Sequence, residues 1–180
     1  MLPTPVVDAY VEEELPGARS WADREGLELT VLPGRPILRV ELTGPPAPAP
    51  DGLEGAAREA PLERYLLEAG LDDYRALPPE WRFLHPDTEE EIGAAGFPAQ
   101  PQSPLGGASI FLPHSDPYGA VICAHFSRRA YGNGPHPDWG PPTNWENTRP
   151  GQVVARTLGD MLVRIALEVS ASAGRMAPLP

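Results

Sequence analysis

Lysine is absent from this sequence: all 14 of its basic residues are arginine, set against 25 aspartates and glutamates, for a formal net charge of −11. Phosphate-backbone binding needs clustered positive charge, so nucleic acid is not expected as a partner. The missing amines also mean that no side chain here can be acylated on a lysine nitrogen. Cysteine is nearly as scarce, with Cys123 alone. An internal disulfide is therefore impossible, and a free thiol suits a reducing compartment. No apolar run approaches the roughly 18 residues that a membrane span needs. The first residues lack the basic-then-apolar pattern of a signal peptide. The expectation is a cytoplasmic chain with no membrane partner.

Proline and glycine are plentiful, at 25 and 18 residues, and imply many loops, while periodic stretches between them keep the chain out of the disordered class. A length of 180 residues is enough for one domain that buries a core without disulfide or metal staples. Thr4 and Pro5 have the residue types of an N-cap and a first helical position, and Val6, Tyr10 and Val11 share one helical face. Pro16-Gly17 is expected to end that helix before a short piece carrying Trp21. The acidic run Glu12-Glu13-Glu14 is expected on its solvated side.

Leu27 to Leu32 and Ile37 to Leu42 alternate apolar with polar residues around Pro33-Gly34-Arg35-Pro36, which predicts an antiparallel hairpin. Gly44 to Pro50 should be an extended surface link. The spacing of Leu62, Leu66 and Leu67 predicts a helix from about Leu53 to Ala69, closed by Gly70. That helix would belong to an insertion over the sheet at about 44–72. A short strand should follow Pro78-Pro79, with Trp81 and Phe83 on one face, ended by His85-Pro86-Asp87. Ile110 to Leu112 is a second brief strand. The 153–172 stretch, with Val153, Val154, Leu158, Met161, Leu162, Ile165 and Val169 at three- and four-residue steps, predicts an amphipathic helix closed by Gly174. Met176 to Pro180 is expected to fray. The fold class is thus α+β: an antiparallel sheet of about four strands flanked by an N-terminal and a C-terminal helix, in a single domain.

Chemistry points to Gly119-Ala120-Val121-Ile122-Cys123-Ala124-His125, a β-type run with the thiol at its end and an imidazole two residues on. Free cysteine is among the most buried residue types, so a core role competes with a catalytic one. If His125 lies on the same strand face as Cys123, it would lower the thiol pKa or serve as a base. His114, Cys123, His125 and His136 are competent metal ligands. None has the close spacing of a zinc site, so no metal is expected. A papain-like hydrolase would carry its cysteine on a helix, unlike this strand. Trp139 and Trp145 read as core anchors in a proline-rich loop.

In order, the chain offers a helix, antiparallel strands, Tyr74-x-x-x-Pro78-Pro79-x-x-x-Phe83, a polar-proline loop, Gly119-x-x-Ile122-Cys123, a tryptophan-bearing loop (Trp139-Gly140-Pro141 or Trp145) and an amphipathic helix. That order resembles the ubiquitin-conjugating enzymes, specifically their divergent prokaryotic relatives. The family's pattern is Tyr-Pro-x-x-Pro-Pro-x-x-x-Phe, with Arg75 here replacing its first proline, and Gly-x-Ile-Cys-Leu, with one extra residue here between Gly119 and Ile122. The family's His-Pro-Asn has no match. His114-Ser115-Asp116 stands near its place, and His85-Pro86-Asp87 has the closer string at a remote position.

The resemblance implies a UBC-like fold. It also implies a transferase that carries a ubiquitin-like modifier as a thioester on Cys123 and passes it to an amine of a protein substrate. An activating enzyme would be a partner, in a bacterial ubiquitin-like conjugation pathway, and no cofactor is called for. Such chemistry needs a nucleophile, an oxyanion donor and a group to take the amine's proton. Cys123 would be the first, His114 or Asn144 the second, and Asp116 or His125 the third. Having no lysine, the chain could not load the modifier onto a lysine of its own. The alternative is a non-catalytic binding or adaptor module of the same fold with Cys123 structural.

Overall fold

The computed structural model describes residues 4–46, 61–100, 102–115, 119–147 and 155–177. A long helix, α1 (Thr4–Glu25), leads into a meander of β1 (Leu29–Val31), β2 (Ile37–Gly44), β3 (Glu63–Gly70) and β4 (Glu80–Leu84). Each strand of this sheet is antiparallel to the next. A separate hairpin follows, β5 (Phe111–Ser115) with β6 (Gly119–Ile122), and the second helix is α2 (Leu158–Ser170). The architecture is α+β, as composition and periodicity predict. No helix among the described residues is long and apolar enough to cross a membrane.

Helix α1 does not stop at Pro16-Gly17 but continues to Glu25. Pro16 costs the helix one backbone hydrogen bond and a steric clash, about 3 kcal/mol. Val7, Val11, Ala18, Trp21 and Ala22 are all buried, and their packing outweighs that cost, because helices in proteins owe most of their stability to an amphipathic face. The buried face runs through Val7 and Val11, while Val6 and Tyr10 point out.

The helix expected over 53–69 is a strand where it is described, from Glu63 to Gly70; residues 53–60 lie outside the described residues. The helical-looking spacing of Leu62, Leu66 and Leu67 is coincidental, since the working period is two: Tyr65, Leu67 and Ala69 are buried to one side. Far from being added over the sheet, β3 is an interior strand, in register with β2 on one edge (Val40 opposite Leu67) and β4 on the other (Leu67 opposite Phe83). Leu38, Val40, Leu42, Trp81 and Phe83 complete the inward face. On the outward face Arg39, Glu68 and Arg82 stand in one row across three strands. Glu68, only 1% exposed, accepts from Arg39 Nε and Arg82 Nε, each at 2.7 Å. A slip of one residue would drive that carboxylate into the core, so the row specifies register.

Helix α2 opens with a reciprocal cap, in which Thr157 Oγ1 accepts from the Asp160 N–H and Asp160 Oδ2 accepts from the Thr157 N–H. Leu158, Met161, Leu162, Ile165 and Val169 are fully buried on its inner face; Val153 and Val154 lie outside the described residues. The helix ends at Ser170, ahead of Gly174. It approaches β2 closely at Gly44, where an added Cβ would stand 3.0 Å from the Val169 carbonyl oxygen. The segment after the helix is tied down through Ala177 rather than frayed. Met176 and Ala177 donate to the carbonyls of Phe97 and Ala95. Buried Arg175 pairs with Glu63 at 2.9 Å and lies over the Tyr65 ring. Beneath it, Phe83, Phe97 and Phe111 meet edge to face, joining the hairpin to the sheet.

Of the acidic run on α1, Glu12 and Glu13 face solvent but Glu14 turns inward. Its Oε2 accepts from the Tyr74 hydroxyl and from the Leu158 backbone N–H, both at 2.7 Å, and its Oε1 pairs with Arg75. One carboxylate thereby joins α1, the Tyr74 turn and the first residue of α2. Burial and this carboxylate push the Tyr74 phenol well above its ordinary value. Glu14→Ala strands a buried hydroxyl and a helix N–H and leaves Arg75 with Glu146 alone, and is expected to lower stability by about 3 kcal/mol. Glu12→Ala should change it by less than about 0.5 kcal/mol; urea denaturation of both variants checks the contrast.

Candidate active site

Strand β6 buries Ala120, Val121 and Ile122 and then stops, leaving Cys123 just beyond its end. The Cys123 N–H donates to the Ile110 carbonyl at 2.6 Å, extending the hairpin's pairing by one bond, and the residue is half-buried. Its thiol borders an open groove of about 450 Å³ with a mainly apolar wall that includes Ile110, Leu112 and Phe126.

The turn after the cysteine is held by the proline motif. The Arg128 N–H donates to the Pro79 carbonyl at 2.9 Å and its Nε to the Pro78 carbonyl at 3.0 Å. Trp81 Nε1 donates to the Phe126 carbonyl at 3.0 Å. Arg129 pairs with Glu80 and Glu91. Tyr74-x-x-x-Pro78-Pro79 and the segment after Cys123 are thus one mechanical unit, since a proline carbonyl is a free acceptor even though its nitrogen cannot donate.

His125 lies in this turn rather than on a strand, so the two-residue alternation that would align it with Cys123 does not apply. It lines the same groove, with its ring edge-on to Trp139 at 4.3 Å between centroids. His136 stacks flat on the other ring contact of Trp139, at 4.0 Å and 1°. Trp139 is therefore a half-buried groove wall flanked by imidazoles, while Trp145 is the true core anchor, its Nε1 donating to the Arg75 carbonyl. Cys123, His125 and His136 share the groove, yet no three ligating side chains are grouped as a metal site among the described residues.

Of the other expected site residues, the described one, Asn144, is not brought to the thiol. Asn144 is exposed on a separate 3-10 turn, Pro142–Asn144, and does not line the groove. His114 is in β5 and Asp116 lies outside the described residues. His85 serves a turn, its Nδ1 accepting from the Asp87 N–H at 3.1 Å. Sequence reasoning missed Arg164, which reaches the groove from α2. Its signal was a charged pair, Arg164 and Glu168, on the helix face that is otherwise apolar.

The lowered thiol pKa expected from His125 is also corrected. Burial pushes the Cys123 thiol up to about 12, because desolvation disfavours the thiolate. At neutral pH the sulfur is a protonated thiol facing an apolar groove.

No protein-family model matches the chain, and no curated protein matches it.

A raised pKa keeps the reactive thiolate scarce below pH about 12, and its fraction grows with each step up in pH. Alkylation of Cys123 in the native chain should therefore accelerate about tenfold per pH unit from about pH 7 to about pH 10, without the plateau near pH 8.5 of an ordinary thiol. At about pH 8 the native rate should lie about a hundredfold below that of the urea-unfolded chain, the thiolate deficit being partly offset by higher intrinsic nucleophilicity. Iodoacetamide kinetics followed by mass spectrometry measure both.

Proposed function

We propose that the chain is a UBC-like thioester transferase of a bacterial ubiquitin-like conjugation pathway, working in the cytoplasm with an activating enzyme, a ubiquitin-like modifier and a protein substrate. The observation that carries the reading is the position of Cys123. It stands at a strand end on an open groove, not among the core residues, and its turn is clasped by Pro78 and Pro79. The order of elements adds support, with helix, four-strand meander, cysteine turn and amphipathic helix in sequence.

In this reading Cys123 Sγ attacks the carbonyl carbon of the modifier's thioester on the activating enzyme. A new carbon–sulfur bond forms, the activating enzyme's sulfur leaves, and the Cys123 proton passes to it. His125 and His136 are the imidazoles at hand to relay that proton. A substrate amine then attacks the same carbonyl carbon, forming an amide as the bond to Cys123 sulfur breaks, and the amine's proton passes to that sulfur to restore the thiol. A high thiol pKa fits a carrier: such a sulfur is a reluctant leaving group, so the thioester is held until the amine is positioned.

The same raised pKa favours a second reading, a binding module of this fold in which Cys123 is structural. Incubation with the cognate activating enzyme, its modifier and ATP separates the two. The transferase reading expects an adduct of the modifier's mass that thiol reductants release and that Cys123→Ala abolishes. No adduct from a system competent on its own partner enzymes would sink it in favour of the binding module.

A further inference from the structure

Tyr131 is almost fully buried, and its hydroxyl donates to the His125 carbonyl at 2.8 Å. Its ring also meets Trp139, at 5.4 Å between centroids and 72° between planes, and Trp139 in turn stands perpendicular to the His125 ring. His125 is thus held twice, by its backbone through the Tyr131 hydroxyl and by its imidazole through Trp139. The support behind Tyr131 is firm. It follows Arg128 and Arg129, which are tied to Pro78, Pro79, Glu80 and Glu91. The Tyr131 carbonyl accepts from the Gly134 N–H at 2.9 Å, at a point where a side chain in place of glycine would run into the Arg129 carbonyl. A group backed by packed, hydrogen-bonded neighbours of this kind keeps its geometry.

The two imidazoles of the Cys123 groove differ in their surroundings. Besides Cys123 itself, the titratable or charged side chains in its described lining are His125, His136 and Arg164. His136 lies flat on the Trp139 indole, and its Nδ1 is 3.8 Å from the Asp138 carboxylate. His125 meets the same indole at a right angle and stands two residues from the thiol. Burial keeps the Cys123 sulfur protonated at neutral pH. Such a thiol can open a thioester there only if its proton leaves as the new carbon–sulfur bond forms.

We propose that His125, rather than His136, takes this proton, directly or through one water, and that Tyr131 and Trp139 are its positioning residues, acting on the thiol only through the imidazole they hold. The inference deepens the transferase reading and rests on it. The Tyr131 hydroxyl fixes where the His125 backbone sits and Trp139 limits how its ring turns, so the imidazole faces the groove before any acyl donor arrives. Orientation settled in advance is what makes a proton acceptor effective.

The probe is S-acetyl-N-acetylcysteamine, a small alkyl thioester, applied to the whole chain. Cys123 sulfur bonds to the acetyl carbon, the bond from that carbon to the alkyl sulfur breaks, and the proton held by His125 passes to the departing sulfur, giving acetyl-Cys123 and a free thiol. Mass spectrometry follows the acetylated chain; there is no lysine to compete, and Cys123→Ala supplies the blank. Acyl transfer through preformed thiolate alone rises about tenfold per pH unit, whereas transfer assisted by a neutral imidazole is level with pH. The native chain is therefore expected to show a level stretch between about pH 7 and about pH 8, below a limb that rises toward about pH 10. His125→Gln should abolish the level stretch. Tyr131→Phe keeps the ring and removes only the hydroxyl, and should lower the level stretch about tenfold relative to the rising limb, the size of one hydrogen bond. Trp139→Leu should lower the same ratio and serves if Tyr131→Phe does not fold. A purely structural role would slow both parts of the profile alike. No level stretch in the native chain, one that survives His125→Gln, or a ratio unchanged in Tyr131→Phe would overturn the proposal. The probe needs neither a modifier nor an activating enzyme, so any of these results is distinct from a missing modifier adduct, which counts against the transferase reading itself.

Discussion

The Glu14 carboxylate is the constraint on which the arrangement of the elements depends. It accepts from three donors on three parts of the chain: the Tyr74 hydroxyl, Arg75, and the Leu158 N–H at the start of α2. The last bond satisfies an N–H that a helix start leaves open, and it places negative charge at the positive end of the helix dipole. Tyr74 also meets the Trp145 ring at a tilt, and that indole donates to the Arg75 carbonyl. The turn that leads into Pro78 and Pro79 is therefore fixed from both sides. Because those prolines hold Arg128, the placement of the cysteine turn descends from the same carboxylate.

The groove combines features that pull in different directions. Apolar walls and partial burial hold the thiol in its neutral form, which protects it from oxidation and slows its chemistry. The imidazoles that contact Trp139, His125 and His136, offer polar partners in the same space.

The fold was legible where one period ruled. Ile37 to Leu42 alternates without interruption and forms β2, and the 158–169 positions repeat at helical spacing and form α2. Leu62, Leu66 and Leu67 misled because a short apolar set satisfies both periods, and only pairing with β2 and β4 decides between them. Pro16 misled for a different reason, since tertiary burial of Trp21 and Ala22 overrode a local breaker. In the candidate site, Cys123 and His125 were legible as neighbours, whereas Asn144 has the residue type of an oxyanion donor but lies elsewhere. Arg164 stood in plain view as a charge on an apolar helix face, and its significance depended on knowing which cavity that face meets.

Arg175 and residues 173–177 have a consequence for the order of assembly. They pair with 95–99 and with Glu63, contacts separated by as many as 112 positions along the chain. Contacts so remote in sequence form late, after the intervening loops have been closed. During synthesis, β3 would thus emerge and pair with its neighbours well before its lateral brace exists. A nascent chain stalled ahead of Arg175 would present a sheet with Tyr65 uncovered, and that is the stage at which a chaperone would have most to shield.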